Sequence, residues 1–339
     1  MKIKNSSFFS KTKLNLDLKL SHLQFTTKIT IPKSNALIDY NSKIISMGSC
    51  FAENMGEKLE YFKFQNTVNP FGIIFNPVSI EKLIQRCVVK KYFTEEDIFF
   101  HNDLWHCYEV HSELSNSNKE DFLRNLNEII KSTNKQINNS THLIITLGTS
   151  WVYRNIESNE IVANCHKVPQ KQFTKEILSI KTIEASIQNT IELIQKINSN
   201  CNFIFTVSPV RHIKDGFVEN TLSKAHLISA IHKVTNNQLS IANYFPSYEV
   251  MMDELRDYRF YTSDMLHPNQ VAIDYIWERF KESSISDESK NLMQEVDSIQ
   301  KSLMHRPFNS HSESHQEFLI KLNRKIQFLQ NQFPFMQFE

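Results

Sequence analysis

The fold of this chain is indicated by residues 43–59, which read KIISMGSCFAENMGEKL. The apolar run 43–47 is typical of a buried strand, and the residues after Cys50 are typical of a helix. Gly48 lies between the two, and it is one of only five glycines among 339 residues. We therefore expect Gly48 where the backbone needs a positive φ or a close approach without a Cβ.

A strand, a tight turn with Ser49 and Cys50, and then a helix is how α/β enzymes present a nucleophile. Backbone N–H groups and the helix dipole favour an anion at that position. The same residues also fit a plain strand-to-helix connection with two small buried side chains. On this segment alone, both interpretations stay open.

Two further apolar runs, 142–147 and 202–207, predict buried strands. Helical stretches near 78–88, 118–137, 177–198 and 220–236 lie around them, and this alternation favours a parallel sheet with helices on both faces. Polar residues follow each predicted strand, and ligands of such sheets bind outside the carboxyl ends of the strands. The sequence thus predicts an α/β protein with its site at that edge.

A second motif places Asp264 three residues before His267, with Pro268 next and a helix after it. Pro suits the first helical position, since the N–H that it lacks would be unsatisfied there. One loop can therefore carry a general base and the carboxylate that orients it. Asp and His also occur together in loops where they only cap the following helix. The Asp264–His267 motif therefore indicates a catalytic pair only in combination with the Gly48 turn.

Five separated strings together resemble the GSCFA domain family: GSCFA at 48–52, NPFG at 69–72, LGTSW at 147–151, SPVRH at 208–212 and DMLHP at 264–268. The resemblance covers residues 24–282, and the family is similar to the SGNH (GDSL-type) hydrolase superfamily. It implies a three-layer α/β/α, flavodoxin-like parallel sheet. It also implies an acyl-ester hydrolase or acyltransferase, with acylated carbohydrate as a substrate class and an acyl donor in the case of transfer.

The superfamily opens with Gly-Asp-Ser, in which the third residue is the nucleophile. Alignment on Gly48 puts Ser49 at the Asp position and Cys50 at the nucleophile position. We expect Cys50 to attack, with a pKa depressed by the helix N-terminus and a nearby His. Ser49 acting from a slightly different turn position is the alternative, and Cys50 as a buried apolar cysteine is another. The resemblance gives His267 the role of base and Asp264 that of its orienting group.

The resemblance also implies an oxyanion hole. Its predicted members here are Gly72, Gly148 and Ser150, of which Ser150 stands where the superfamily has Asn. Removal of one oxyanion donor typically lowers turnover ~10²–10³-fold, so this exchange predicts weak activity or an unusual ester. Gly72 also reads as a simple turn glycine.

Four residues are predicted to contact substrate: Trp151, His166, Arg211 and His212. Arg211 offers a planar fork for a carboxylate, phosphate or sulfate. A structural ion pair of Arg211 with Asp215 or Glu219 is an equal alternative.

Charge and composition exclude several classes of protein. The 38 basic and 37 acidic residues leave a net charge of +1, which argues against nucleic acid as the main partner. Apolar runs fall short of the ~20 residues of a membrane span. The spacing of His101, His106 and His111 suits no known zinc pattern, so we predict neither a metal nor another cofactor.

The chain has five scattered cysteines, which favour reduced thiols over a disulfide framework. Its first residues are polar and rich in Lys and do not resemble a signal peptide, so we expect a cytoplasmic protein. Residues 1–23 are expected to be a loosely ordered extension, and 24–282 the α/β domain. The tail 283–339 reads as two helices that pack on the core or form a homodimer. A non-catalytic module that binds a glycan or an acidic ligand on the same fold is the alternative function.

Overall fold

The computed structural model describes residues 26–237 and 241–338, so the predicted N-terminal extension 1–23 lies outside the described residues. The strands are β1 (Lys43–Gly48), β2 (Gln65–Val68), β3 (Phe99–His101), β4 (Leu104–His106), β5 (His142–Leu147), β6 (Trp151–Asn155), β7 (Ile161–Val162), β8 (Phe173–Ile177), β9 (Asn202–Val207) and β10 (Ala242–Phe245). Five of them form a parallel sheet in the order β10–β9–β5–β1–β2. Counted along the chain, this order is the flavodoxin order 2-1-3-4-5, which confirms the predicted parallel α/β sheet.

Eight helices of at least three turns occur in the described parts of the chain. They are α1 (Cys50–Tyr61), α2 (Pro77–Val89), α3 (Lys119–Asn139), α4 (Ile180–Gln195), α5 (Phe217–Asn237), α6 (Gln270–Ser284), α7 (Asp287–Met304) and α8 (Glu313–Gln332). A short helix, Ser247–Glu249, continues into a π-helical turn, Val250–Glu254. Local chemistry explains where helices begin: Asn76 caps α2 ahead of Pro77, and the Asn269 side chain accepts from the Ala272 N–H at the start of α6.

Both faces of the sheet are buried, as expected for parallel strands. Successive residues of a strand point to opposite faces. Ile45, Ile145 and Phe205 belong to the core that contains side chains of α2, α3, α4 and α5. Ile44, Ile144 and Ile204 belong to the core under α1 and α6. The result is the three-layer α/β/α architecture that the sequence predicted.

The helical tail packs on the α/β domain. Met293 of α7 and Leu322 of α8 lie in the same apolar cluster as Trp277 and Phe280 of α6. These side chains are at most 5% exposed, so the tail completes the core on this face of the sheet. The predicted homodimer through the tail stays a prediction. In the described parts of the chain, no helix has the length and apolar character needed to cross a bilayer.

Two small antiparallel sheets stand beside the main one. β3 pairs with β4, and β6 lies between β7 and β8. β6 begins only four residues after the end of β5, so the second small sheet rises from the carboxyl edge of the main sheet. Several of the predicted site residues lie at this edge.

Candidate active site

The turn at Gly48 is fixed by its neighbours. Gly48 has φ +143°, and a Cβ at this position would lie 2.1 Å from the Thr146 carbonyl oxygen. The Gly48 N–H donates to the Asn69 side-chain oxygen (2.8 Å), and the Ser49 N–H donates to the Thr146 carbonyl (3.0 Å). No residue with a side chain fits here without displacing β5, which confirms the expectation of a required glycine.

Ser49 and Cys50 have different surroundings. Ser49 is 1% exposed and caps α1, since its hydroxyl accepts a hydrogen bond from the Phe51 N–H (3.3 Å). Cys50 is the first residue of α1 and is only partly buried. Of the two candidate nucleophiles, the thiol is therefore the more accessible.

The expectation of a depressed thiol pKa is wrong. Burial raises the pKa of Cys50, and the charge of Glu53 raises it further. Hydrogen bonds from the Phe51 and Cys50 N–H groups and the charge of Lys224 act in the opposite direction, but they do not outweigh burial. The thiol is therefore neutral at rest and needs a base before it can attack an acyl group.

Asp264 and His267 form the predicted pair. His267 Nδ1 lies 2.6 Å from Asp264 Oδ2. The other carboxylate oxygen, Oδ1, accepts hydrogen bonds from the Thr262 hydroxyl (2.7 Å), the Leu266 N–H (2.9 Å) and the His267 N–H (3.0 Å). With the His267 N–H as the largest contribution, these bonds hold the pKa of Asp264 well below its usual range.

An ionised Asp264 fixes the tautomer of His267 with its proton on Nδ1. Nε2 then keeps its lone pair, and within the described residues it has no hydrogen-bond partner. The imidazole is half-exposed. Its geometry is that of a general base aimed away from its orienting carboxylate.

Lys224 of α5 lies beneath this edge of the sheet. The side chain is 1% exposed, and Nζ donates to the carbonyl oxygens of Gly148 (2.7 Å) and Ser208 (2.8 Å). These carbonyls belong to the first residues after β5 and β9. Burial lowers the pKa of Lys224 to about 7, although the charges of Cys50 and Glu249 act to raise it.

His212 lies next to Lys224. Its ring stacks on Phe75 with centroids 5.8 Å apart, and Nε2 occupies the space beside Gly148, 3.2 Å from where a Cβ would be. Nε2 is buried and has no hydrogen-bond partner among the described residues. Burial, followed by the charges of Lys224 and His267, lowers the pKa of His212 to about 4, so this imidazole is neutral at neutral pH.

Four titratable groups thus form one cluster at the carboxyl edge. The charge of Lys224 acts on both Cys50 and His212, and the charge of His267 acts on His212. Strand register explains the meeting, because Gly48 pairs with Thr146 and Thr146 with Thr206. The residues that follow β1, β5 and β9 therefore leave the sheet side by side.

The three residues predicted to form the oxyanion hole have other partners. The Gly72 N–H donates to the Asn69 carbonyl (2.8 Å), and the Gly148 N–H donates to the Phe75 carbonyl (2.8 Å). Ser150 is fully buried, and its hydroxyl donates to the Ser223 carbonyl (3.2 Å). Gly72 has φ +74°, as a turn glycine does. The donors at the Cys50 thiol are instead the N–H groups that open α1.

The predicted substrate contacts divide into two groups. Arg211 and His212 lie at the carboxyl edge. Trp151 donates from its indole N–H to the Glu219 carbonyl (3.2 Å) and so joins β6 to α5. His166 is 4% exposed and lies 2.7 Å, through Nε2, from the Cys107 carbonyl oxygen. His166 packs among aromatic rings of the small sheets, with its centroid 4.7 Å from that of His106.

The alternative interpretation of Arg211, a structural ion pair with Asp215 or Glu219, is wrong. Asp215 forms its ion pair with Lys175, and no carboxylate of the described residues lies within 4 Å of the Arg211 guanidinium. Within the same residues, no group of three His, Cys, Asp or Glu side chains is placed to hold a metal ion.

Sequence reasoning missed two residues of the site. Asn69, at φ +41°, holds the Gly48 turn, and the NPFG string at 69–72 contained it without a role. Lys224 lies at helical spacing from Leu227 and Ile231, both fully buried. A lysine in the apolar face of a predicted helix was the signal for a functional or structural role.

Comparisons with known proteins assign the chain to a family. No curated protein matches the chain. Residues 43–280 match the GSCFA family, and residues 296–339 match the family described as the GSCFA domain protein, C-terminal domain. The first match spans more than half of the chain and includes both the Gly48 turn and the Asp264–His267 loop. The chain therefore belongs to the GSCFA family.

Proposed function

We propose that this chain is an acyl-ester hydrolase or acyltransferase that works through a Cys50–His267–Asp264 arrangement. The observation that carries the proposal is the 2.6 Å contact of His267 Nδ1 with Asp264 Oδ2, which leaves Nε2 as an oriented base. The charges of His267 and Lys224 both act on His212, and the charge of Lys224 also acts on Cys50, so the loop lies near the partly exposed thiol that opens α1. The resemblance to the SGNH hydrolase superfamily supports the same chemistry and favours acylated carbohydrate as substrate.

In this mechanism, His267 Nε2 takes the proton of the Cys50 thiol while Sγ attacks the acyl carbonyl carbon. The N–H groups that open α1 stabilise the negative charge on the oxygen. The leaving alkoxide takes the proton from His267, which gives a thioester and an alcohol. Water or an acceptor hydroxyl then gives its proton to Nε2 and attacks the thioester, which releases the acid or the transferred ester together with the free thiol.

The first experiment is intact-mass labelling with an aryl acetate, an acyl-CoA and a fluorophosphonate. We expect one covalent adduct on the wild type, an acyl group from the ester or the acyl-CoA and a phosphonyl group from the fluorophosphonate. We expect none on Cys50→Ala, and an unchanged adduct on Cys165→Ala, which removes another partly buried thiol. We expect Ser49→Ala to keep the adduct. Loss of labelling in Ser49→Ala alone would move the nucleophile to Ser49.

His267→Ala tests the base. A general base contributes typically 10²–10⁴-fold, so acylation of Cys50 should slow by at least ~10²-fold while the fold is kept. Thermal unfolding of the variant provides the check on folding. Acylation at the wild-type rate would exclude His267 from the mechanism.

A binding module is the second candidate function. Two observations favour a binding module. The pKa of Cys50 is raised, and the predicted oxyanion donors already donate to carbonyl oxygens of the protein itself: Gly72, Gly148 and Ser150. On this hypothesis, none of the electrophiles labels Cys50 or Ser49, and His267→Ala leaves ligand binding unchanged.

A further inference from the structure

A cleft lies beside the Asp264–His267 loop. It measures about 350 Å³, within the size range of small-ligand sites. Its walls include Arg211, Phe217, Met252, Tyr258, Tyr261 and Met265. We refer to it as the Arg211 cleft.

Arg211 is a cation of this cleft that has no carboxylate partner among the described residues. Its Nε and Nη2 atoms lie 3.2 and 2.8 Å from the Met252 sulfur, a weak acceptor. Its other polar neighbours are the hydroxyls of Tyr248 and Tyr261. A guanidinium can donate five hydrogen bonds, so Arg211 keeps donors for a planar, bidentate anion such as a carboxylate or phosphate.

The other charged groups of the cleft are already engaged. Arg256 pairs with Asp253 (3.3 Å) and Asp257 with Arg259 (3.4 Å). Asp264 accepts hydrogen bonds from its own loop through both oxygens. The two ion pairs cancel locally, whereas the hydrogen bonds leave Asp264 charged. Among the described residues that line the cleft, Arg211 is the cation without a carboxylate within 4 Å, and it is therefore the group available to a ligand anion.

The mouth of the cleft is apolar. Phe217, Tyr258 and Met265 are 58%, 73% and 51% exposed. Exposed aromatic and thioether side chains around a half-buried cation suit a ligand with a ring or carbon body and one anionic group.

The cleft adjoins the acyl site. Asp264 lines it and also orients His267. Tyr248 connects the two sites, since it neighbours Arg211 and its ring centroid lies 5.4 Å from Lys224 Nζ.

We propose that the Arg211 cleft binds an anionic group, a carboxylate or a phosphate, of the molecule whose ester bond reacts at the neighbouring site. The identification of that molecule as an acyl substrate rests on the proposed function, whereas the binding of the anion does not. The substrate class is then an anionic, ring-containing ester rather than a neutral one.

Calorimetric titration of the full chain tests the site with three probes: benzoate, phenyl phosphate and neutral benzyl alcohol. A charge-assisted pair contributes about 10- to 100-fold in affinity. We expect at least one of the anions to bind the wild type about 10-fold or more above benzyl alcohol, and we expect Arg211→Met to remove this preference. Stronger binding of phenyl phosphate than of benzoate would assign the anion as a phosphate, and the reverse order would assign a carboxylate.

Arg124→Met is the matched control, because Arg124 is an exposed arginine of α3 that does not line the cleft and should leave all three affinities unchanged. Arg211→Lys keeps the charge without the fork, and we expect it to bind the preferred anion less tightly than the wild type does. Equal binding of all three probes to the wild type, or unchanged anion binding in Arg211→Met, would overturn the proposal. Cys50→Ala should retain anion binding, so a failure of the acylation experiment and a failure of the cleft give different results.

Discussion

The buried lysine offers the sharpest quantitative test of the site. Lys224 has a pKa of about 7 in the folded chain, against an ordinary value of 10.5, because burial disfavours its charged form. Between these two values the unfolded chain binds a proton that the folded chain has released. Stability therefore rises with pH through this window, since the unfolded state binds more protons.

The magnitude follows from the two pKa values. At roughly 1.4 kcal/mol per pH unit, their difference corresponds to about 5 kcal/mol across the whole window. Between about pH 7 and pH 9, the same relation gives a gain of about 2 kcal/mol in the free energy of unfolding. Methionine fills a similar volume but does not titrate. The increase in the free energy of unfolding between pH 7 and pH 9 should therefore be absent from Lys224→Met.

Urea unfolding of the wild type and of Lys224→Met at pH 7, 8 and 9 measures the effect. Burial also raises the pKa values of thiols such as Cys87 and Cys201, which changes stability with pH in the opposite direction. These two thiols are the same in both proteins, so their contribution cancels in the difference. The difference reports the titration of Lys224 together with the effect of its charge on Cys50 and His212. We expect that difference to move by about 2 kcal/mol in favour of the wild type from pH 7 to pH 9.

Lys131→Met provides the control, because the Lys131 side chain is 68% exposed and its removal should leave the pH dependence unchanged. Lys224→Met also deprives the Gly148 and Ser208 carbonyls of their donor, which lowers stability by a similar amount at every pH. The slope is therefore the test, not the absolute value. A difference between wild type and Lys224→Met that is flat from pH 7 to pH 9 would refute the reasoning.

Three further predictions concern the turn, the thiol and the tail. Gly48→Ala should lower the free energy of unfolding in urea by more than about 3 kcal/mol, because the new Cβ would collide with the Thr146 carbonyl oxygen. A decrease of less than about 1 kcal/mol would show that the turn tolerates a side chain. The rate at which iodoacetamide alkylates Cys50, measured by peptide mapping, should still increase above about pH 9, because burial raises the pKa of this thiol. A rate that reaches its plateau below about pH 8 would show that Cys50 is already a thiolate there. Truncation after Ser283 should lower the melting temperature or cause aggregation, because it uncovers Trp277; a truncated chain as stable as the full one would show that the tail adds nothing to the core.

The central strands could be predicted from the sequence because a parallel sheet buries both faces. β5 and β9 are therefore almost continuous apolar runs, which are recognisable without any alignment. The edge strands β2 and β10 are short, and β2 reads QNTV with every residue only partly buried. Edge strands carry a weak apolar signal, and the sequence analysis did not find these two.

The hydrogen-bond partners at the site could not be predicted, because they depend on loops that meet only in three dimensions. The Gly148 N–H is taken by the Phe75 carbonyl, and the loop that brings Phe75 there lies more than 70 residues earlier in the chain. The Asp264–His267 contact was predictable, since a carboxylate three residues before an imidazole needs only a local turn. Local pairs can thus be read from sequence, whereas the donors of an oxyanion hole cannot.

The wrong expectation for Cys50 shows which effect dominates this site. A helix N-terminus lowers a thiol pKa, and the hydrogen bonds from the first turn of α1 do act in that direction. Burial is the larger effect, and it also lowers the pKa values of Lys224 and His212. One poorly hydrated region therefore favours the uncharged form of three neighbouring groups, and His267 is the half-exposed member of the cluster. A proton that leaves the thiol reaches solvent most directly through His267, which is why the Asp264–His267 pair, and not the helix dipole, is the activating element in the proposed mechanism.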